Sequence, residues 1–188
     1  MADDARKWSL VGAKPRISVA RRDSMIELSF LRAFLAWETF LEEACILYML
    51  GQQPLRGRPL VRFVQPPTRP AAEKLAADGR DYANWNTATV VAARAERFFL
   101  NGRPFGILRT KQNALENAKK IRNAVAHDSE SAQTKFKTVV RGELNAVPPG
   151  VTVGGFLNRV KPATVPPRSF LDYYLDTLAD TVSGIARP

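Results

Sequence analysis

One cysteine and one histidine in 188 residues exclude an intrachain disulfide and most metal chemistry. Cys45 has no thiol to pair with, and a zinc site built from this chain would need more imidazoles or thiolates than it holds. No motif asks for a cofactor either. Long uncharged apolar runs are also missing, because the most apolar stretch is broken by Arg32, Glu38, Glu42 and Glu43. No basic, apolar, small-residue leader opens the sequence, so a soluble, cytoplasmic protein without membrane contact is expected. Acidic residues are the scarcer charge. Eighteen Asp and Glu stand against 28 Lys and Arg, leaving +10 and a pI near 10.2. That excess favours a polyanionic partner, nucleic acid first.

What is present reads as helix. At 45% hydrophobic, a chain of this length can bury one sizeable core, and a single domain over residues 24–188 is expected behind a mixed, charged arm at 1–23. Ser24 with Glu27 has the spacing of a capping box, and Gly51 is a natural stop. Between them Ile26, Phe30, Ala33, Trp37, Leu41, Ala44 and Tyr48 recur at steps of three and four, which makes one buried seam. Leu28, Leu31, Leu35, Cys45 and Met49 form a second apolar face, so this helix should be covered on most sides or meet a second copy. Residues 52–70 carry five prolines among Arg56, Arg58, Arg62 and Arg69, and cannot continue it. They form a solvated basic connection or a loop that touches RNA backbone. Further helices are expected over about 70–78, 86–100, 109–127 and 131–144. Another follows from Ser169, capped with Asp172, to about Ile185. That makes an all-α fold of five to six helices. The Pro- and Gly-rich residues 145–168 read as a long loop with a short extended piece at 151–153. Gly154-Gly155 within it is no phosphate loop, since no Gly-Lys-Ser/Thr follows.

The only histidine lies in Lys119-Lys120-Ile121-Arg122-Asn123-Ala124-Val125-Ala126-His127-Asp128. At about 100° per residue, Asn123 and His127 share a helix face and Arg122 lies roughly 140° from His127, within reach of its long stem. His127 should sit at the helix end, because Asp128, Ser129 and Glu130 read as the cap of the next helix. A planar guanidinium suits two phosphate oxygens at once, and an imidazole changes charge near neutral pH. Arg122 abuts the apolar stripe Leu115, Ala118, Ile121 and Val125, so it needs a carboxylate or an interface. Glu38 and Glu42 share a face of the long helix, and either is a candidate partner. Lys119, Lys120, Arg56, Arg58 and Arg62 are candidate RNA contacts.

Arg-Asn-Xaa-Xaa-Xaa-His at a helix end in an all-helical chain resembles the signature of the HEPN superfamily, in particular its bacterial RiboL-PSP-type branch. Ala36-Trp37-Glu38-Thr39-Phe40-Leu41-Glu42-Glu43 and Ser169-Phe170-Leu171-Asp172-Tyr173-Tyr174-Leu175-Asp176 support the likeness, which spans about residues 24–186. Many members are metal-independent endoribonucleases, among them toxins and phage-defence effectors. The resemblance implies a HEPN-like helical bundle in a homodimer whose two motifs line one cleft. On it, His127 is acid or base, Arg122 binds the scissile phosphate, and Asn123 orients one of them. Products would end in 2′,3′-cyclic phosphate and 5′-hydroxyl.

Three other readings compete. A HEPN-like dimer can bind RNA or nucleotide without cutting, under a regulatory partner. A toxin can be silenced by a nucleotidyltransferase antitoxin, but that branch places a tyrosine two positions after the histidine, where this chain has Ser129. A basic helical DNA-binding protein is the third, and no helix-turn-helix supports it.

Overall fold

The computed structural model describes residues 18–188, and within them the chain is all-α. Eight α-helices follow in order: α1 Val19–Met49, α2 Arg69–Ala77, α3 Ala88–Phe98, α4 Ile107–Thr110, α5 Gln112–Ala126, α6 Glu130–Leu144, α7 Val153–Leu157 and α8 Phe170–Ala186. A 3-10 turn at Leu100–Gly102 follows α3. Extended pairing among the described residues is confined to the isolated bridges Arg62 to Phe99 and Val160 to Ser169. No helix is long and apolar enough to cross a membrane among the described residues.

Local chemistry accounts for several helix ends. Thr68 caps α2, its hydroxyl accepting from the Ala71 N–H at 3.4 Å, and Asp78 closes it in the left-handed conformation at φ 56°. Ser129 accepts from the Ala132 N–H at 3.3 Å to open α6, and Asn145 at φ 58° ends it. At α8 the Ser169 hydroxyl accepts from the Asp172 N–H at 3.1 Å and donates to the Asp172 carboxylate at 2.7 Å.

The start of α1 departs from expectation. Residues 1–17 of the expected arm lie outside the described residues, and the chain is already helical from Val19. Ser24 is therefore interior to α1, where its hydroxyl donates to the Ala20 carbonyl at 3.0 Å. Glu27 does not reach back to Ser24; its carboxylate accepts from the Gly154 N–H at 2.7 Å. A tertiary donor has outcompeted the local capping box. The expected helix over 109–127 is also split, with Lys111 between α4 and α5 at ψ 12°.

The chain divides into two compact units, and α1, α5 and α8 each contribute residues to both. The first comprises residues up to Leu35 with Asn117–Thr177. Its core stacks Phe156 on Phe170 at 4.3 Å between ring centroids, sets Phe136 edge-on to Phe156 at 5.7 Å, and places Tyr174 against Phe30 at 6.3 Å. The expected loop before α8 is folded here. Thr152, itself extended, caps the short helix α7, which takes in only Val153 of the extended piece expected at 151–153. The Thr152 hydroxyl also donates to Asp23 at 2.7 Å. Gly154 explains the tight approach, since a Cβ there would sit 2.3 Å from the Asp23 carbonyl oxygen. Beyond α7, Lys161 pairs with Glu143 and lies 4.6 Å from the centre of the Tyr173 ring. The second apolar face of α1 is left open in this unit: Leu28 is 50% and Leu35 40% exposed.

The second unit comprises Ala36–Glu116 with Leu178–Pro188. Here Cys45 and Met49 of the same face are buried, as is the seam residue Leu41. The Trp37 indole donates to the Thr181 hydroxyl at 2.8 Å and the Tyr48 hydroxyl to the Ile185 carbonyl at 3.1 Å. Phe105 stacks on Phe99 at 6.0 Å and meets Tyr48 edge-on at 6.2 Å.

Candidate functional site

The Arg-Asn-His motif occupies the corner between α5 and α6 in the first unit. Leu115, Ala118, Ile121 and Ala124 form the buried stripe of α5, and Val125, expected there, is only half-buried. The 3.6-residue period places Ala124 rather than Val125 three residues beyond Ile121 on that face. Ala126 is the last helical residue. His127 follows, exposed, with its N–H still donating to the Asn123 carbonyl at 2.9 Å. The helix thus ends one residue before the imidazole.

Three contacts hold the corner. The Ser129 cap starts α6 two residues beyond His127. The Gln133 side-chain amide donates to the Ala124 carbonyl at 3.1 Å, satisfying one of the carbonyls left over at the end of α5. Arg122 and Asn123 are half-buried, and the Arg122 Nη1 donates to the Asn123 Oδ1 at 3.2 Å. The Asn123 side chain therefore turns toward the guanidinium, while its backbone carbonyl takes the His127 N–H. Lys119 and Lys120 are half-buried one turn earlier, and Lys135, Lys137 and Arg141 are exposed on α6. The exposed acids Asp128 and Glu130 stand beside His127 at the same corner.

The remaining candidates lie in the second unit. Arg56 and Arg58 are exposed in the connection after α1. Arg62 is engaged by the fold: its Nη1 donates to the Met49 carbonyl at 2.8 Å beside Gly51, whose φ of 108° turns the chain out of α1. A cation at a helix C-terminus is favourable, so Arg62 serves the end of α1. Glu38 is half-buried, and Glu42 lines a cleft with Trp85. Sequence reasoning passed over that cleft, because Arg80, Tyr82 and Trp85 lie between helices where no periodicity marks them. It likewise missed Asp23 and Thr152 as the anchor of α7.

Burial pushes the Cys45 thiol up to about 12, so it is no nucleophile at neutral pH. Among the described residues no three His, Cys, Asp or Glu side chains gather in a way that could hold a metal ion. The class these features define is an all-α protein with a helix corner presenting arginine, asparagine and histidine. Comparison with models of known families, with curated proteins and with solved structures returned no match.

Proposed function

We propose that the chain is a metal-independent endoribonuclease of the HEPN type, working as a homodimer in a toxin or phage-defence setting. The observation that supports this best is the α5–α6 corner, where an exposed imidazole follows an arginine already oriented by its asparagine neighbour. Cleavage would begin with attack of the neighbouring 2′-hydroxyl on phosphorus. The 2′-oxygen to phosphorus bond forms as the bond to the 5′-oxygen breaks, giving a 2′,3′-cyclic phosphate and a 5′-hydroxyl. One group must take the 2′ proton and another must give a proton to the leaving oxygen. Arg122 would neutralise the charge that builds on the non-bridging oxygens. A chain with a single histidine supplies one such proton carrier, and two copies supply both. Asn123, by accepting from Arg122, limits the rotamers of a long side chain before RNA arrives.

The test is digestion of labelled RNA in excess EDTA by the wild-type protein and by His127→Ala, with the product ends identified. Cutting that survives EDTA, leaves cyclic phosphate and is lost in the variant supports the reading. Cutting unchanged in His127→Ala removes His127 from the reaction. Wild-type protein that binds RNA as a dimer and never cuts it would mark a binding module.

A further inference from the structure

A recess of about 250 Å³ opens in the second unit between the end of α2 and α3. Three arginines line it, Arg80, Arg94 and Arg97, against one carboxylate, Asp78, and its other lining residues are apolar. Glu73 and Asp81 line the adjoining cleft and not this one, and Glu73 is paired with Arg69. The single acid of the recess is already engaged: Asp78 accepts from the Arg97 Nη1 at 2.9 Å. That bond takes one corner of an exposed fork and leaves the rest. Arg80 is exposed, and its guanidinium makes no hydrogen bond or ion pair among the described residues. Arg94 is the unusual member. It is only 5% exposed, and a charge that deep normally has a carboxylate beside it. Its partners here are neutral: Nη1 donates to the Asn84 carbonyl at 3.0 Å, and the guanidinium lies 4.4 Å from the centre of the Trp85 ring. Nε is buried with no partner. Burial holds this guanidinium below its usual range, and the charges of Arg97 and Arg80 push the same way against Asp78. Three positive charges and one negative leave the recess at +2.

We infer that this recess binds a phosphate group. Its charge calls for an anion, and its size calls for a small one, since sites for larger ligands usually run to about 300–1,000 Å³. A guanidinium fork matches two oxygens of a phosphate, and Arg80 and Arg97 both have donors to spare. Arg94 need not touch the anion. Its charge acts from a buried position that salt and water screen poorly, whereas a hydrogen bond from it would need direct contact. The recess uses no residue of the α5–α6 corner, so it stands without the nuclease reading. The phosphate arrives either free, as inorganic phosphate or a monoester, or as a backbone diester of an RNA strand.

Binding is measured by calorimetry on the full-length His127→Ala protein, so that any cleavage does not intrude. The probes are inorganic phosphate, with chloride at equal ionic strength as the blank, and a short single-stranded RNA with hydroxyl ends. Phosphate should bind at millimolar concentration or below. Arg80→Gln, a change at an exposed position, should weaken it by about tenfold or more. Asp78→Asn should act the other way and tighten it by about threefold or more, because it removes the one negative charge and releases Arg97. Asparagine tolerates the left-handed φ of 56° that Asp78 adopts, and thermal unfolding confirms the fold of both variants. RNA affinity that falls together with phosphate affinity in Arg80→Gln identifies the strand as the source. RNA affinity that stays unchanged while phosphate affinity falls identifies the free anion. No binding of phosphate at millimolar concentration, equal phosphate affinity in the parent and both variants, or weaker binding in Asp78→Asn overturns the assignment.

Discussion

Gly154→Ala puts the packing of α7 on α1 to a quantitative test. The new Cβ would lie 2.3 Å from the Asp23 carbonyl oxygen and 2.6 Å from its carbonyl carbon and Cα. All three are backbone atoms of a long helix and cannot swing aside. Relief requires α7 to move out by most of an ångström, and that movement stretches the 2.7 Å bonds from the Gly154 N–H to Glu27 and from the Thr152 hydroxyl to Asp23. Overpacking costs about 1–3 kcal/mol, and weakening a hydrogen bond to a charged group about 1.5–3 kcal/mol more. Higher helix propensity of alanine returns roughly 0.5–1 kcal/mol. The net loss is on the order of 2–5 kcal/mol, a drop of about 5–15 °C in Tm for a chain of this size. Gly142→Ala is the matched control: it lies in α6 with nothing within 4 Å of the added Cβ, so the same change should stabilise by roughly 0.5–1 kcal/mol. Urea unfolding followed by circular dichroism reads both. Gly154→Ala with an unchanged midpoint would refute the close-approach argument, as would an equal loss in the two variants.

Four other outcomes are expected. Burial raises the Glu27 carboxyl above its ordinary range, with the Gly154 N–H lowering it in part and Asp23 raising it again. The folded state therefore holds that proton more firmly than the unfolded chain, and stability falls as pH rises through the raised pKa. Glu27→Gln keeps an acceptor for Gly154, so it should be at least as stable as wild type at pH 7. That advantage should shrink on acidification; an advantage independent of pH would contradict the burial argument. Thr181→Val leaves the Trp37 N–H buried without its 2.8 Å acceptor and should cost about 1–3 kcal/mol in urea unfolding. On the proposed nuclease reading, Asn123→Ala should lower RNA cleavage by about tenfold or more at unchanged Tm, because it removes the 3.2 Å bond that orients Arg122. Arg56→Ala with Arg58→Ala, both exposed, should reduce the salt slope of RNA binding by about 0.7 per lost phosphate contact; an unchanged slope would remove that connection from the RNA surface.

How far the sequence foretold this structure depended on whether the deciding interaction was local. Ser129 and Ser169 act within three residues of themselves, and the helix starts they set agree with their spacing to within a residue or two. The seam from Ile26 to Tyr48 is buried along its length, because a helix of 31 residues repeats its period often enough to be unambiguous. Ser24 and Glu27 misled because the deciding donor, Gly154, lies 127 residues from Glu27. The same distance hid α7: proline and glycine between residues 145 and 168 signal a loop, and only the backbone of Asp23 explains why Gly154 must be glycine. Leu28 and Leu35 belong to a face that is apolar throughout, yet they are 50% and 40% exposed where Cys45 and Met49 are buried. Composition cannot say where along a helix its cover stops.

The candidate site was legible for a different reason. A motif with a single histidine has one place to be, and the helix stop at Ala126 follows from the cap that Ser129 makes for the next helix. What spacing could not supply was the direction of the Asn123 side chain. Four residues from His127, it shares that residue's face, and orienting the imidazole was one natural role. The 3.2 Å bond from Arg122 assigns its amide oxygen to the neighbouring guanidinium, and only its backbone carbonyl to His127. The physical reason is reach. A carbonyl at the end of a helix already faces the N–H four residues on, so the short amide side chain is left for the longer, more mobile arginine. A guanidinium held in this way has fewer rotamers to lose on meeting an anion, whereas the imidazole beyond the helix end stays exposed. On the proposed nuclease reading, the first would hold charge in place and the second would move a proton.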